Sequence, residues 1–391
     1  MIPYGRQDIS DEDVAAVVAT LKSDWLTQGP AIPAFEQAVM AACDAPYAVA
    51  VNSATSALHI ACLALGVGPG DTVWTVPISF VASSNCALYC GAGIDFVDVD
   101  PVTGNIDPAA LEAKLIEAER SGALPKVLIP VLYTGRPHDQ ARVHALCVRY
   151  GVRIIEDASH AIGGRGEGGE PVGSCRWSDI TIFSFHPVKI VTTAEGGMAM
   201  TRDPELATRL QDLRSHGITK DPARMVEPDA GGWYYEQHSL GLNYRITDLQ
   251  ATLGISQMQR LAPFIERRNQ IADRYDALLA EFPLGRPPLE RGTGAVSAWH
   301  LYVIQLDPAN DGAVRRAWFD GLRARGIGVQ VHYIPIHYQP YYQQLGFRRG
   351  MFPAAERFYN GALSIPMFAA MTDAEQDRVV AAIGEVAGET R

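Results

Sequence analysis

The 391-residue chain has no long apolar run, no CxxC pair and no excess of positive charge. Its longest apolar stretch, residues 57–67, is too short to span a bilayer and is interrupted by His59. No basic segment followed by an apolar core opens the sequence, so we expect no secretion signal and no membrane partner. The net charge of −11 argues against nucleic-acid binding, although local donors can still bind a small anion.

Cysteines are few and scattered, mostly in apolar surroundings: Cys43, Cys62, Cys86, Cys90, Cys147 and Cys175. This pattern favours reduced thiols in a cytoplasmic protein over a disulfide framework. Cys86 and Cys90 stand one helical turn apart, which would permit a metal role, but core packing is the favoured interpretation. We therefore predict no metal site.

Strand-like and helix-like segments alternate through the first 250 residues or so. The predicted strands are 47–54, 71–77, 93–100, 126–133, 152–159 and 179–186. Several are nearly continuous runs of valine, isoleucine and phenylalanine, which is typical of strands covered by helices on both faces. The sequence predicts an α/β protein whose large domain, residues 1–254, has a mostly parallel, doubly wound sheet. A long helix from about residue 255, a segment rich in proline and glycine (283–295) and a mixed region predict a smaller α+β domain over 255–391.

Polar residues follow several of the predicted strands, in "NSATSA", "PISF", "EDASH" and "SFHPVK". In sheets of this kind, ligands bind at the carboxyl ends of the strands. The four segments supply hydroxyls, an aromatic ring, a carboxylate and a lysine at that edge. These groups are the parts needed to hold pyridoxal 5'-phosphate.

Lys189 and Asp157 are the candidate catalytic residues. A lysine must bond covalently to the cofactor's aldehyde and carry a proton, and apolar neighbours lower the pKa of an ammonium group. Lys189 follows an apolar run and is the only lysine or arginine between Arg176 and Arg202; the alternative is a side chain that extends its amine to the surface. An acid must keep the pyridine nitrogen protonated, and Asp157 ends a predicted strand; it could instead cap a helix or turn.

A phosphate site is predicted at the start of the helix that begins near Ser56. Backbone N–H groups there, with the hydroxyls of Ser53, Thr55 and Ser56, can bind an anion, although helix capping without a ligand explains the same residues. Ser184 can add a hydroxyl. Phe80 can stack on the cofactor ring or simply pack in the core.

The segment "GRGEGG" at 164–169 matches the GxGxxG pattern of dinucleotide-binding proteins. That function requires the motif to join a strand directly to a helix. Here it follows "DASHAI" and leads into a segment with proline and glycine. We therefore predict a hairpin rather than a nicotinamide site.

Taken in order, the motifs resemble those of the DegT/DnrJ/StrS sugar aminotransferases, of the fold type I pyridoxal-phosphate class. The resemblance covers essentially the whole chain, through "LTQGPAIPAFE", "NSATSALH", "PISFVAS", "EDASHAIG", the lysine segment, "LRSHGI", "GLNYRITDLQATLG" and "VHYIPIH". A dehydratase branch of the family has histidine in place of the lysine. Because this chain keeps Lys189, the resemblance implies a transaminase.

The family resemblance also implies a role for individual residues. Lys189 would carry the covalent bond to the cofactor, Asp157 would pair with the pyridine nitrogen and His160 would lie near the 3-oxygen. The remaining implied cofactor contacts are stacking by Phe80 and phosphate binding by Ala54, Thr55, Ser184 and, from the neighbouring subunit of a homodimer, Asn243. In that loop Thr247 is predicted to cap a helix beginning at Asp248.

Within the family, "NSATSAL", "SHAIG", "FSFH", "TTAEGG" and "QVHY" are most similar to the pseudaminic-acid-pathway subgroup. This similarity implies transfer of an amino group from glutamate to UDP-2-acetamido-2,6-dideoxy-L-arabino-hexos-4-ulose, for surface-glycan or flagellin sugars. The implied sugar-nucleotide contacts are Tyr4, Leu26, Thr27, Gln28, Gly29, His332 and Tyr333.

Other interpretations of these residues remain open. Residues 26–29 could form an ordered arm, and the aromatic residues near 333 could pack between domains. The stretch "VLYTG" departs from the subgroup, which leaves perosamine-, legionaminic- or aminoarabinose-type keto sugars as alternative substrates. A non-catalytic pyridoxal-phosphate-binding regulator is a further alternative.

Overall fold

A seven-stranded sheet forms the centre of the computed structural model, which describes residues 1–287 and 294–389. Its strands are β1 (Tyr47–Val51), β2 (Thr72–Thr75), β3 (Gly93–Phe96), β4 (Val127–Ile129), β5 (Arg153–Asp157), β6 (Ile180–Ser184) and β7 (Gly197–Thr201). They are ordered β1-β7-β6-β5-β4-β2-β3. Strands β2 to β6 are parallel, whereas β7 runs antiparallel to both β1 and β6. The predicted α/β class with a mostly parallel sheet is confirmed.

Helices cover both faces of this sheet. They are α1 (Asp11–Leu21), α2 (Ala31–Cys43), α3 (Ala54–Ala64), α4 (Ala82–Tyr89), α5 (Pro108–Ser121), α6 (Gln140–Tyr150), α7 (Pro204–Arg214) and α8 (Asp248–Met258). Successive residues of a strand point to opposite faces. In β1, accordingly, Val49 and Val51 pack in the core formed with α3, α4 and α7, and Ala48 and Ala50 pack in the core formed with α2 and α8. The double coverage explains the continuous apolar runs.

The rest of the chain is mixed α and β. Its elements are α9 (Leu261–Leu278), α10 (Ala309–Ala324), α11 (Pro340–Gln344), α12 (Pro353–Gly361), α13 (Asp373–Glu389) and the antiparallel pair β10 (Tyr302–Gln305) and β11 (Ala362–Ile365). A short ribbon joins β8 (Ile218–Thr219) to β9 (Glu236–Gln237), and 3₁₀ turns occupy Tyr133–Gly135 and Ile336–Tyr338. Helices α9, α10 and α13 and the β10–β11 pair share a core that also includes Ile2. The division into domains at residues 254 and 255 stays a prediction; both residues lie within α8.

Three local expectations were wrong. The long helix predicted from residue 255 is two helices, because Pro263 lacks an N–H and fits only the first turn of a new helix, α9. The strand predicted over 126–133 is regular only over β4, since Pro130 cannot donate to the ladder, and beyond it a single bridge joins Val131 to Asp157. Strand β7 was missed because "GMAMT" has few β-branched residues. Of the segment 283–295, residues 288–293 lie outside the described residues.

The predicted hairpin and the predicted helix cap are confirmed. The "GRGEGG" segment forms a tight hairpin in which Arg165 and Pro171 are antiparallel partners, and Thr247 caps α8 through its hydroxyl. All six cysteines are buried free thiols. None of the helices in the described ranges combines the length and apolarity that crossing a membrane requires. Those ranges also contain no group of three or more histidine, cysteine or acidic side chains placed to hold a metal ion.

Candidate active site

A cavity of about 470 Å³ opens at the carboxyl edge of the sheet. Its walls come from the segments that follow β1, β2, β4, β5 and β6, which is where the strand order predicts a ligand site. Nine of the predicted site residues line it: Tyr4, Ala54, Thr55, Phe80, Asp157, His160, Ser184, Lys189 and Tyr333. The fold thus brings most of the predicted set together from distant parts of the chain.

Lys189 lies in the loop that connects β6 to the antiparallel β7. The loop is closed by backbone bonds from Phe185 N to Gly196 O (3.0 Å) and from Thr193 N to Phe185 O (3.0 Å). The Lys189 amine makes no hydrogen bond or ion pair with any described residue. Burial lowers its pKa from 10.5 to about 8, against the opposing effect of the Asp157 carboxylate. The site therefore holds an unpaired amine that is partly neutral near physiological pH.

Asp157 is the last residue of β5 and is 5% exposed. Its Oδ2 accepts a hydrogen bond from the Ser83 hydroxyl (2.6 Å), and its Oδ1 accepts one from Ser159 N (3.1 Å). Ser83 is in turn hydrogen-bonded to Ser79 (2.7 Å). These two donors hold the Asp157 carboxyl group in a fixed position facing the cavity.

The N-terminus of α3 forms another wall. Ser53 caps the helix by accepting from Ser56 N (3.1 Å), as the capping interpretation required. The N–H groups of Ala54 and Thr55 have no acceptor among the described residues, and both residues line the cavity with Ser184. Free N–H groups at a helix start bind anions, so capping and anion binding are compatible here.

His160 and Tyr333 form a hydrogen-bonded pair at the cavity wall. His160 Nε2 and the Tyr333 hydroxyl are 3.1 Å apart, and the two rings are stacked with centroids 6.1 Å apart. Burial and the nearby Lys189 charge hold the pKa of His160 well below its usual range, so its imidazole is neutral. Phe80 lies across the cavity mouth, 58% exposed, with its ring 6.2 Å from that of Tyr333.

His332 is one of six predicted residues that do not line the cavity of their own chain. It is buried behind the wall, where its ring lies 5.2 Å from Tyr4 and 5.0 Å from Tyr333 and its Nδ1 bonds to Ser364 (2.8 Å). Its neighbours place it as a support for the two tyrosines. Asn243 is exposed and its backbone is bridged to Ser215.

The other four residues, Leu26, Thr27, Gln28 and Gly29, lie in a mostly exposed loop held by the start of α8. Thr27 is bridged to Thr247, and Asp248 N donates to Leu26 O (3.0 Å). The Asp248 carboxylate accepts from Gly29 N (2.7 Å) and from Ala31 N (3.0 Å), which caps α2. This loop and the Asn243 loop are therefore fixed to one another.

Several residues of the site were not assigned from the sequence. Ser79, Ser159, His186, Val188 and Glu195 line the cavity, and Ser83 positions Asp157. His186 and Val188 stand within the lysine segment, so proximity in sequence to Lys189 was the available signal. Ser83 carried no such signal, because its hydrogen bond to Asp157 joins α4 to the end of β5 only in the folded chain.

The residues present fit pyridoxal 5'-phosphate. They supply a free amine at Lys189 for the aldehyde, a fixed carboxylate at Asp157 for the ring nitrogen, and free N–H groups at Ala54 and Thr55 for the phosphate. Two of these three features, the unpaired amine and the unsatisfied N–H groups, lack partners within the described chain. A bound group with an electrophilic carbon and a phosphate satisfies both.

Comparison with known proteins points the same way. Residues 7–384 match the model of the DegT/DnrJ/EryC1/StrS aminotransferase family. The spore coat polysaccharide biosynthesis protein SpsC of Bacillus subtilis is 38% identical over 387 residues, which cover 98% of this chain and 97% of that protein.

Solved structures show the same fold over their full length. Helicobacter pylori PseC, an aminotransferase involved in the biosynthesis of pseudoaminic acid, is 31% identical with a TM-score of 0.89, and 99% of each chain is covered. Spr1654 of Streptococcus pneumoniae, described as a sugar aminotransferase, is 29% identical with a TM-score of 0.90. That match covers 100% of both chains in the PMP form; the PLP form has also been solved.

Proposed function

The chain belongs to the DegT/DnrJ/EryC1/StrS aminotransferase family, and on this premise we propose that it transfers an amino group from glutamate to the ketone of a nucleotide-linked 4-keto-6-deoxy sugar. It is a sugar aminotransferase, and its cofactor is pyridoxal 5'-phosphate. When bound, the cofactor accepts the amino group from the donor and stabilises negative charge on the reacting carbon. The observation that carries the proposal is the unpaired Lys189 amine facing Asp157 in one cavity.

The chain's own residues have distinct tasks in this reaction. Lys189 would hold the cofactor and move a proton between the reacting carbon of the substrate and the nitrogen-bearing carbon of the cofactor, for which its pKa of about 8 is suitable. Asp157, fixed by Ser83 and Ser159, holds a proton at the pyridine nitrogen. The start of α3 and Ser184 orient the phosphate. Phe80 would stack on the cofactor ring, and Tyr4 and Tyr333 exclude water from one side of the cavity and offer apolar faces to a sugar ring.

The proposed substrate is UDP-2-acetamido-2,6-dideoxy-L-arabino-hexos-4-ulose, on the similarity to PseC. Tyr133, in the stretch that departs from the pseudaminic subgroup, is fully buried and does not line the cavity. Its hydroxyl instead donates to the backbone oxygen of His332. The departing stretch nevertheless reaches the cavity wall at Val131, so it bears on the choice of sugar.

A different 4-keto sugar nucleotide is the second candidate. The specific observation in its favour is the identity of 38% to SpsC, a protein of spore coat polysaccharide biosynthesis, against 31% to PseC. Both candidates use the same cofactor chemistry and differ only in the sugar. A cytoplasmic location, expected from the cysteines, stays a prediction.

A substrate panel tests the proposal. Purified protein with pyridoxal 5'-phosphate is incubated with glutamate and each of several nucleotide-linked 4-keto sugars, and the products are followed by mass. We expect an amino product, with one 2-oxoglutarate formed for each amino sugar, from the UDP-linked N-acetyl 4-keto sugar. Lys189→Ala is the matched control and should give no product. Amino transfer to a perosamine-type sugar alone would select the second candidate, and no transfer to any keto sugar would refute the function.

A further inference from the structure

His300 lies directly behind the cavity wall and has no role in the function described so far. It is 4% exposed, and the centroid of its ring is 4.4 Å from that of His160, with the planes tilted by 53°. The pKa of His300 is held well below its usual range, first by burial and then by the charge of Lys189. The His160 ring thus contacts three rings: the neutral His300 imidazole at 4.4 Å, Tyr333 at 6.1 Å and Tyr133 at 6.4 Å, of which His300 is by far the nearest.

Backbone hydrogen bonds fix the position of His300 behind the cavity wall. His300 N donates to Thr134 O (2.8 Å), and Ala298 N donates to Gly135 O (2.9 Å). The fit at Gly135 is tight: a Cβ there would lie 2.5 Å from His160 O and 3.1 Å from His300 N. Only glycine permits this close approach, so the turn at 134–135 connects the backbones of the two histidines.

Two residues of this scaffold have an unusual backbone conformation. Thr134 has φ = 63° and Trp299 has φ = 46°, in the left-handed region that side chains other than glycine rarely adopt. The buried guanidinium of Arg268 donates to Trp299 O (2.9 Å) and so fixes the strained segment. Strain of this kind persists only where surrounding contacts enforce it, and it is concentrated at functional sites.

We propose that His300 is a positioning residue of the active site: its ring supports His160 in the orientation in which Nε2 meets the Tyr333 hydroxyl. The alternative is that His300 only fills space in the core. Both histidines leave Nδ1 buried and without a partner in the described chain, so ring packing is the contact that orients His160 from behind. Loss of that ring leaves His160 free to turn away from Tyr333.

The test compares His300→Ala, which removes the ring, with His300→Phe, which keeps a ring of similar size. In cofactor-free protein with labelled histidine, the ring ¹⁵N signals of His160 should shift in the alanine variant and return toward the wild-type position in the phenylalanine variant. The kcat for amino transfer should fall about 10- to 100-fold in the alanine variant, with a smaller change in the KM for glutamate. The phenylalanine variant should recover most of that loss.

The matched control is His337→Ala. His337 is also fully buried with an unpartnered Nδ1, but it bonds to Glu356 and its ring packs against Tyr338 and Phe352 rather than His160. It should lose stability without shifting the His160 signals or kcat. If His300→Ala fails to fold, His300→Gln removes the ring at similar volume and should still shift the His160 signals. Unchanged His160 signals in folded His300→Ala or His300→Gln protein, or equal shifts from His337→Ala, would overturn the proposal.

The kinetic readout rests on the proposed function, whereas the NMR readout does not. If the wild-type protein transfers no amino group to any sugar, the proposed function fails while the His160 signals still decide the role of His300. If the wild-type protein transfers amino groups normally but the His160 signals do not shift in His300→Ala, only the positioning role of His300 is refuted.

Discussion

At the scale of single residues, the chemistry depends on the charge state of one amine. Lys189 is an ordinary lysine by sequence, and its surroundings lower its pKa from 10.5 to about 8. A shift of this size leaves roughly 300-fold more neutral amine near pH 7 than in a solvated lysine. Asp157 acts in the opposite direction, because its negative charge stabilises the ammonium form. Burial therefore makes the Lys189 amine more nucleophilic, and the attraction of the Asp157 carboxylate for the ammonium form limits that effect.

A first prediction concerns the pH dependence of cofactor attachment. Only the neutral amine attacks the aldehyde, so the rate at which the cofactor-free enzyme binds pyridoxal 5'-phosphate covalently should rise with pH and level off above about 8. Asp157→Asn removes the charge that holds the Lys189 pKa up, so its profile should move to lower pH. The measurement is the absorbance change at saturating cofactor across a pH series.

Lys189→Ala is the control for this experiment. Borohydride reduction should add the mass of the cofactor to the wild-type chain and leave the alanine variant unchanged. A wild-type midpoint near 10 would mean that the amine is solvated, and attachment in the alanine variant would mean that another residue carries the cofactor.

At the scale of elements, β5 places two adjacent acids on opposite faces of the sheet. Asp157 faces the cavity, whereas Glu156 is buried on the other face, where its carboxylate accepts from the side chains of Gln140 and Thr181. Burial raises the pKa of Glu156 to about 7, and the charges of Glu170 and Asp157 add to the effect. The strand thus presents one carboxyl group to the cavity and buries a second one that is about half protonated at pH 7.

This second acid gives a prediction on stability. Between about pH 4.5 and 7 the folded protein holds a proton on Glu156 that the unfolded chain releases, so the free energy of unfolding falls as the pH rises through this range. Glu156→Gln cannot ionise and should avoid the loss, which amounts to about 3 kcal/mol for the full shift. Denaturant unfolding should show the variant more stable than the wild type at pH 8, and the difference should shrink at pH 5.

Glu119→Gln, at an exposed position of α5, is the matched control and should show no such pH-dependent gain. If Glu156→Gln is equally destabilised at pH 5 and pH 8, the hydrogen bonds of the carboxylate outweigh its burial, and the sign assigned to Glu156 is wrong.

The elements also show how far the sequence could predict this site. Lys189, Asp157 and the α3 start were predictable, because each follows an apolar strand and polar groups there converge at one edge of a parallel sheet. Strand β7 could not be predicted, because its residues have weak strand propensity. It forms through pairing with β1 and β6. Ser83 and His300 were not predictable either: they reach the site only through packing between segments far apart in sequence.

At the scale of the whole molecule, part of the predicted machinery lies outside the cavity of its own chain. The 26–29 loop and the Asn243 loop are joined through Asp248 and are mostly exposed. Large apolar side chains are also exposed on or beside these loops, with Trp25 at 54%, Leu26 at 45% and Leu240 at 87%. Exposed apolar groups of this size are typical of a surface that meets another chain. We therefore expect a second copy to cover this surface and bring Asn243 to its neighbour's phosphate.

A subunit-mixing experiment tests this arrangement. Lys189→Ala and Asn243→Asp chains, each inactive as a homodimer, are unfolded, combined in equal amounts and refolded together. If Asn243 acts in its neighbour's site, one site of a mixed dimer carries both lesions and the other carries none. Half of the dimers should be mixed and each should have one intact site, so about one quarter of wild-type activity should return. If Asn243 serves its own chain's cavity, every site keeps one lesion, and no activity returns even when subunit exchange is shown by mass.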